Sequence, residues 1–168
     1  MIRSRVVWAL TWLYMLGAGL VCLPYILITG KLDLIYFLAR GGCRLLLALA
    51  GVRVVTSGTP PANTACLYMA NHQSNLDPPV LLAHLPGEIS FLAKKELFSI
   101  PVLGWVLRVG GLIPVDRGNR DAARAGIALA AQSLRAGRPF LVFPEGTRTR
   151  DGHLQEFKKG PFFLAEQA

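Results

Sequence analysis

The sequence predicts an α/β domain built on a mixed, largely parallel sheet flanked by helices, preceded by two apolar helical segments. Three observations predict it. From residue 52 onward, short runs rich in β-branched and aromatic residues alternate with helical stretches, at the spacing of β–α–β units. Polar loops follow several of the expected strands, which is where open α/β sheets place their sites. Residues 6–52, by contrast, are dominated by apolar side chains with few charges. A chain of 168 residues fits one such domain and buries a core without disulfides or a structural metal.

Residues 6–28 form an uncharged run, flanked by Arg3 and Arg5 before it and Lys31 after. About 20 apolar residues of helix cross a bilayer core, and the run exceeds the apolar core of a signal peptide. Val21 before Cys22 does not suit a lipoprotein-type cleavage site. The run reads as a retained membrane element, with Trp8, Trp12 and Tyr14 as interface anchors. Pro24 is predicted to kink or end the helix near Leu23.

Residues 34–52 make a second apolar stretch, interrupted by Arg40 and Arg44 on one helical face. At mid-bilayer each Arg costs about 3 kcal/mol on insertion scales. A helix lying in the interface, with both guanidinium groups toward lipid phosphates, costs far less. The alternative is a core helix with two snorkelling arginines. Residues 1–50 are therefore expected to form a membrane-associated helical element, and residues 51–168 the α/β domain.

Residues 52–57 (VRVVTS) alternate as a strand does, and a turn cluster follows at 58–63. Residues 65–70 (ACLYMA) read as a short buried strand. Residues 77–85 read as a short helix, with Asp77 as N-cap ahead of Pro78. Strands are expected at 89–93, 112–115 and 139–143, and helices at 101–109 and 120–136, with another beginning at Phe162.

Eighteen Lys+Arg oppose ten Asp+Glu, and 52% of residues are hydrophobic, which excludes intrinsic disorder. Nucleic acid and anionic membranes both attract such chains. The polar segments lack the interleaved basic and aromatic residues of nucleic-acid binders, so membrane lipids are the expected partner and nucleic acid is not. Cys22, Cys43 and Cys66 form no C-x-x-C pair and read as small hydrophobes in a reducing compartment.

Three polar constellations could do chemistry. In Asn71–Pro78 (NHQSNLDP), His72 can take a proton from a hydroxyl, and Asp77 could hold its imidazole in one tautomer. The same spacing also suits a His that caps a turn, with Asp77 merely capping a helix. In 143–148 (FPEGTR), Gly146 lets the backbone approach a ligand, while Thr147 and Arg148 offer a hydroxyl and a planar charged fork suited to phosphate. Glu145 could orient that Arg or accept from an alcohol; a solvated turn with a local Glu–Arg pair is the plainer alternative. In 110–117 (GGLIPVDR), Arg117 stands past a strand and could join Arg148 on one phosphate, or simply be surface charge.

Lys94 fits the same positive pocket or lipid heads, while Lys95, Lys158 and Lys159 read as facing headgroups or solvent. His72, Asp77 and His84 match no helical ligand spacing, so no metal is expected. No G-x-S-x-G elbow is present.

Taken together, NHQSNLDP at 71–78, AKKELFSIPVLGW at 93–105, GGLIPVDR at 110–117 and FPEGTRTRDGHLQEFKKG at 143–160 resemble the lysophosphatidic acid acyltransferase family, the glycerolipid acyltransferases of the His-x4-Asp type. The resemblance implies transfer of a fatty acyl group from a thioester, acyl-CoA or acyl carrier protein, to the sn-2 hydroxyl of 1-acyl-glycerol 3-phosphate, giving phosphatidic acid. It implies His72 as general base and Asp77 as its orienter. Arg117, Glu145, Gly146, Thr147 and Arg148, with Lys94, would hold the acceptor's phosphate and glycerol. No cofactor beyond the thioester co-substrate is implied. The reaction also implies a catalytic domain on the cytoplasmic face of a membrane, of the bacterial inner-membrane kind, with residues 1–50 as a hairpin or dipping pair.

Another lyso-lipid acceptor, or a non-catalytic lipid-binding role, are the alternatives. Two features depart from the family. Pro114 stands where an aromatic or aliphatic residue is usual. The chain also ends at Ala168, before a fourth proline-containing block, so the last part of the family fold is expected to be missing.

Overall fold

The computed structural model describes residues 2–61, 65–116 and 118–168. Helices α1 (Ile2–Thr29) and α2 (Asp33–Ala50) pack side by side in opposite directions. Cys22 of α1 is buried against Ile35 and Tyr36 of α2, and the Tyr14 hydroxyl donates to the Leu38 carbonyl at 2.8 Å. The body follows as β1 (Leu67–Met69), α3 (Asp77–His84), β2 (Ser90–Lys94), a 3-10 turn (Lys95–Ser99), α4 (Leu103–Val109), β3 (Ile113–Val115), α5 (Arg120–Arg135), β4 (Phe140–Val142) and α6 (Gly160–Gln167).

The four strands run in the order β1-β4-β2-β3, every neighbouring pair parallel. Leu67 lies opposite Phe140, Ser90 also opposite Phe140, and Leu92 opposite Ile113. β4 is thus central, and its Phe140, Leu141 and Val142 are all buried, as a strand covered on both faces must be. Ile127, Ala130, Ala131 and Leu134 of α5 pack onto Ile113, Phe140 and Val142, with Leu164 of α6 closing the core. Asn119 caps α5: its Oδ1 accepts from the Asp121 and Ala122 amides at 2.9 and 3.1 Å, a bond pattern worth about 1 kcal/mol. Because all four strands are parallel, their C-terminal ends share one edge. The loops after β1, β2, β3 and β4 gather there.

Several expectations are corrected. Residues 52–57 carry no strand: exposure alternates only as far as Val55, Thr56 and Ser57 are exposed too, and no ladder partner stands beside them among the described residues. β1 is shorter than expected and not buried, because it is an edge strand with one neighbour; Leu67 and Tyr68 are half-buried and Met69 is exposed. α1 continues through Pro24 to Thr29. Pro24 lies near the helix end, where few turns depend on the bond it removes. Asp77 is not the N-cap of α3. Leu76 holds that position without a side-chain bond, and Asp77 is the first helical residue.

The arginines of α2 do not point at lipid. Arg40 donates to the carbonyls of Leu85 and Gly87, and Arg44 to that of Ala83 at 3.2 Å. These are carbonyls at and just beyond the C-terminal end of α3, acceptors that a helix end leaves unpaired and that attract cations. On the other side, the Tyr36 hydroxyl donates to the Gly110 carbonyl, just past α4, at 2.6 Å. Polar ties from α2 therefore seat the hairpin on the body. The outer surface of α1 stays apolar and exposed: its Arg5–Thr29 stretch is long and apolar enough to cross a membrane, and only 6% of its most apolar window is buried.

Candidate active site

The loop between β1 and α3 carries His72, which is buried at 5% exposure. Its Nδ1 lies 2.8 Å from Asp77 Oδ2. The same oxygen accepts the backbone N–H groups of Gln73 at 2.7 Å and Ser74 at 2.8 Å. One carboxylate oxygen therefore both seats the turn and holds the imidazole, while the helix-capping alternative fails because Asp77 is already inside α3. With Asp77 accepting, Nδ1 carries the proton and Nε2 is the basic nitrogen. The ring also stacks on Phe143, with centroids 4.0 Å apart and an interplanar angle of 18°.

The loop after β4 comes from the neighbouring strand. Glu145 is 2% exposed. Its Oε1 accepts the His72 backbone N–H at 2.7 Å, and its Oε2 accepts the Gln155 backbone N–H at 3.1 Å. The Thr149 N–H in turn donates to the His72 carbonyl at 2.9 Å. Gly146 turns the loop at φ +69°, and the Lys158 side chain lies across it; a Cβ there would stand 2.9 Å from Lys158 Cδ. Lys158 thus packs on the loop instead of reaching for headgroups alone. Thr147 and Arg148 are exposed on the same loop.

His72 lines a cavity of about 520 Å3 between the hairpin and the body. Its walls are mostly apolar, drawn from α1, α2, α3, β2 and α4, among them Met15, Leu46, Leu82 and Leu107. Lys94 and Arg148 line it together with His72, and so does Asn75. A cavity of that size, apolar apart from a few convergent polar groups, suits a small amphiphilic ligand. Lys94 is mostly exposed and lies 3.6 Å from Glu96. Lys95 Nζ sits 2.6 Å from Asp116 Oδ2, tying the end of β2 to the end of β3. That bond raises the Lys95 ammonium above its ordinary value, and together with a second from the Gly118 N–H it holds the Asp116 carboxyl below the usual carboxylate value. Arg117, the other expected phosphate ligand, lies outside the described residues.

The structure thus brings His72, Asp77 and Glu145 into direct contact and sets Lys94 and Arg148 on the same cavity. Glu145, Gly146 and Thr147 are not among the residues lining the cavity, and backbone amides occupy both oxygens of Glu145. Sequence reading missed Asn75, Phe143 and Gln155. Phe143 adjoins the FPEGTR motif and Asn75 sits within NHQSNLDP, so those two were in view. The Gln155 contact is a backbone bond that no side-chain identity announces. His84 donates to its own helix, with Nδ1 2.8 Å from the Val80 carbonyl, and stands apart from the dyad.

A carboxylate-held imidazole thus stands at the C-terminal edge of a parallel sheet in an α/β protein, opening on an apolar cavity that Lys94 and Arg148 also line. The acyltransferase family model matches residues 51–168. The chain belongs to the acyltransferase family. It is 38% identical over 106 residues to the chloroplastic 1-acyl-sn-glycerol-3-phosphate acyltransferase BAT2 of Brassica napus, spanning 63% of this chain and 30% of that protein. It is 33% identical over 132 residues to the 1-acyl-sn-glycerol-3-phosphate acyltransferase of Borreliella burgdorferi, spanning 77% of this chain and 53% of the relative. The crystal structure of the 1-acyl-sn-glycerophosphate (LPA) acyltransferase PlsC from Thermotoga maritima superposes with a TM-score of 0.70 at 26% identity, covering 97% of this chain and 70% of that one. The aligned parts span about a third to a half of the two curated relatives' length.

Proposed function

We propose that this chain transfers a fatty acyl group from an acyl thioester to the sn-2 hydroxyl of 1-acyl-sn-glycerol 3-phosphate, forming phosphatidic acid. The observation that carries the reading is the His72–Asp77 pair at an apolar cavity that Arg148 shares. The names of the relatives, 1-acyl-sn-glycerol-3-phosphate acyltransferases, support the same acceptor.

In the mechanism, Nε2 of His72 takes the proton of the acceptor hydroxyl as its oxygen attacks the thioester carbonyl. Asp77 holds the Nδ1 proton and stabilises the imidazolium that forms. The tetrahedral oxyanion then collapses, the C–S bond breaks, and the departing sulfur takes the proton from the imidazolium. A new ester and a free thiol remain, and no covalent enzyme intermediate is needed because the thioester is already activated. Arg148, with Lys94 and Arg117, supplies positive charge for the acceptor phosphate, and the apolar cavity receives alkyl chain.

The exposed apolar face of α1 supports membrane association. With the hairpin dipping into one leaflet, the body stays on the cytoplasmic side of a bacterial inner membrane, where acyl-CoA or acyl carrier protein is found. Residues 1–50 then serve as the membrane element and residues 51–168 as the acyltransferase domain, with no metal or organic cofactor.

The test is thiol release and phosphatidic acid formation from acyl-CoA and lysophosphatidic acid, with purified protein in detergent micelles. Arg148→Ala should raise the acceptor KM by about tenfold or more, as loss of a charged hydrogen bond does, and leave the donor KM unchanged. A donor KM that rises instead overturns the assignment of Arg148. Absence of thiol release from folded protein overturns the activity.

A further inference from the structure

We infer that Glu145 is a positioning residue that fixes the backbone of His72, and not a ligand of the acceptor. The inference rests on the acyl-transfer reading for its kinetic consequences, but its geometry stands by itself. Three segments meet at this one side chain: the loop after β1 through His72, the loop after β4 through Glu145, and the stretch leading into α6 through Gln155. The carboxylate receives one backbone N–H on each oxygen, at 2.7 Å from His72 and 3.1 Å from Gln155. A carboxylate buried to 2% exposure is costly unless hydrogen-bonded, and these two charge-assisted bonds are what satisfy it. It has no face on the cavity where Lys94 and Arg148 stand.

The consequence is a division of labour around one imidazole. Glu145 and the Thr149 amide grip both polar groups of the His72 peptide. Phe143 fixes the ring plane by stacking, and Asp77 fixes its rotation through Nδ1. Phe143, Glu145 and Thr149 all belong to the strand end that also presents Arg148 to the cavity. The loop after β4 therefore sets the distance between base and cation, and Glu145 is its bond to the base. A base displaced by about 1 Å loses on the order of 10²-fold in rate, because near-attack geometry is lost while binding is not.

Glu145→Gln tests this. The carboxamide keeps one acceptor oxygen but turns an NH2 toward the other amide, so one of the two ties is lost. The full chain in micelles should show kcat reduced by about 10²-fold with the acceptor KM changed by less than about threefold. Its low-field proton NMR resonance from His72 Nδ1–H should weaken or shift, because the ring no longer sits squarely on Asp77. Arg148→Ala, as the contrast, should raise the acceptor KM and leave that resonance in place. Glu145→Asp, which keeps the charge but cannot span both amides, should give the same pattern and serves if the Gln variant does not fold. An acceptor KM raised tenfold with kcat and the resonance unchanged overturns the inference and returns Glu145 to the acceptor. Should the wild-type chain release no thiol, the acyl-transfer reading fails by itself, while the resonance still decides whether Glu145 positions His72.

Discussion

The helical hairpin and the α/β body are both rich in large apolar side chains, yet they place them oppositely. In the body, Phe140, Leu141 and Val142 are 0–4% exposed; in α1, Leu13, Leu20 and Leu27 are 68–76% exposed. Polar groups follow the reverse pattern. The body brings Asp77 and Glu145 onto His72 from two loops, while the two arginines of α2 turn away from the hairpin's outer face to cap α3. The difference teaches that the hairpin has two unlike surfaces. Its outer face leaves large apolar side chains exposed, and its inner face is a wall of the cavity on which His72 opens.

The comparison breaks first at the seam. Arg40→Ala removes the cation from the Leu85 and Gly87 carbonyls and should cost about 2 kcal/mol, the usual loss for charged hydrogen bonds. Thermal unfolding in micelles measures it, and hydrogen exchange should rise in α2 and α3 before it rises in β4. Uniform exchange across the chain would mean that the hairpin and the body do not separate there.

A smaller effect sharpens the contrast. Leu20→Ser with Leu27→Ser should change stability in micelles by less than about 0.5 kcal/mol each, because neither side chain is packed in the protein. Partition of the same variant into anionic vesicles should fall clearly, since each leucine gives up membrane-buried apolar area. A large loss of stability with partition unchanged would place that face against protein.

Much of this architecture was legible in the sequence, for identifiable reasons. The helix at 120–136 was legible from its Ala and Leu content and the spacing of Ile127 and Leu134, and the body strands from β-branched and aromatic runs, because local pattern decides both. His72 and Asp77 were legible because they lie five positions apart, close enough in sequence for a ring and a carboxylate to meet locally. What stayed hidden was non-local. The insertion of β4 between β1 and β2 depends on a crossover, and with it the meeting of Glu145 and His72 across 73 positions. Residues 52–57 carried a strand-like sequence and, among the described residues, have no neighbour to pair with. Arg40 and Arg44 read as lipid-facing because composition shows an apolar helix around them, whereas the carbonyls they cap lie about forty residues away, beyond any local pattern.

The central claim is that the His72 imidazole, held by Asp77, takes the proton of a lipid alcohol. Its most direct measurement is kcat for thiol release with lysophosphatidic acid as acceptor, in the wild type and in His72→Ala, with matched thermal unfolding. The account predicts that the variant folds as before and loses about 10³-fold in kcat, the contribution of a positioned general base. A folded His72→Ala protein that releases thiol at the wild-type rate would contradict it.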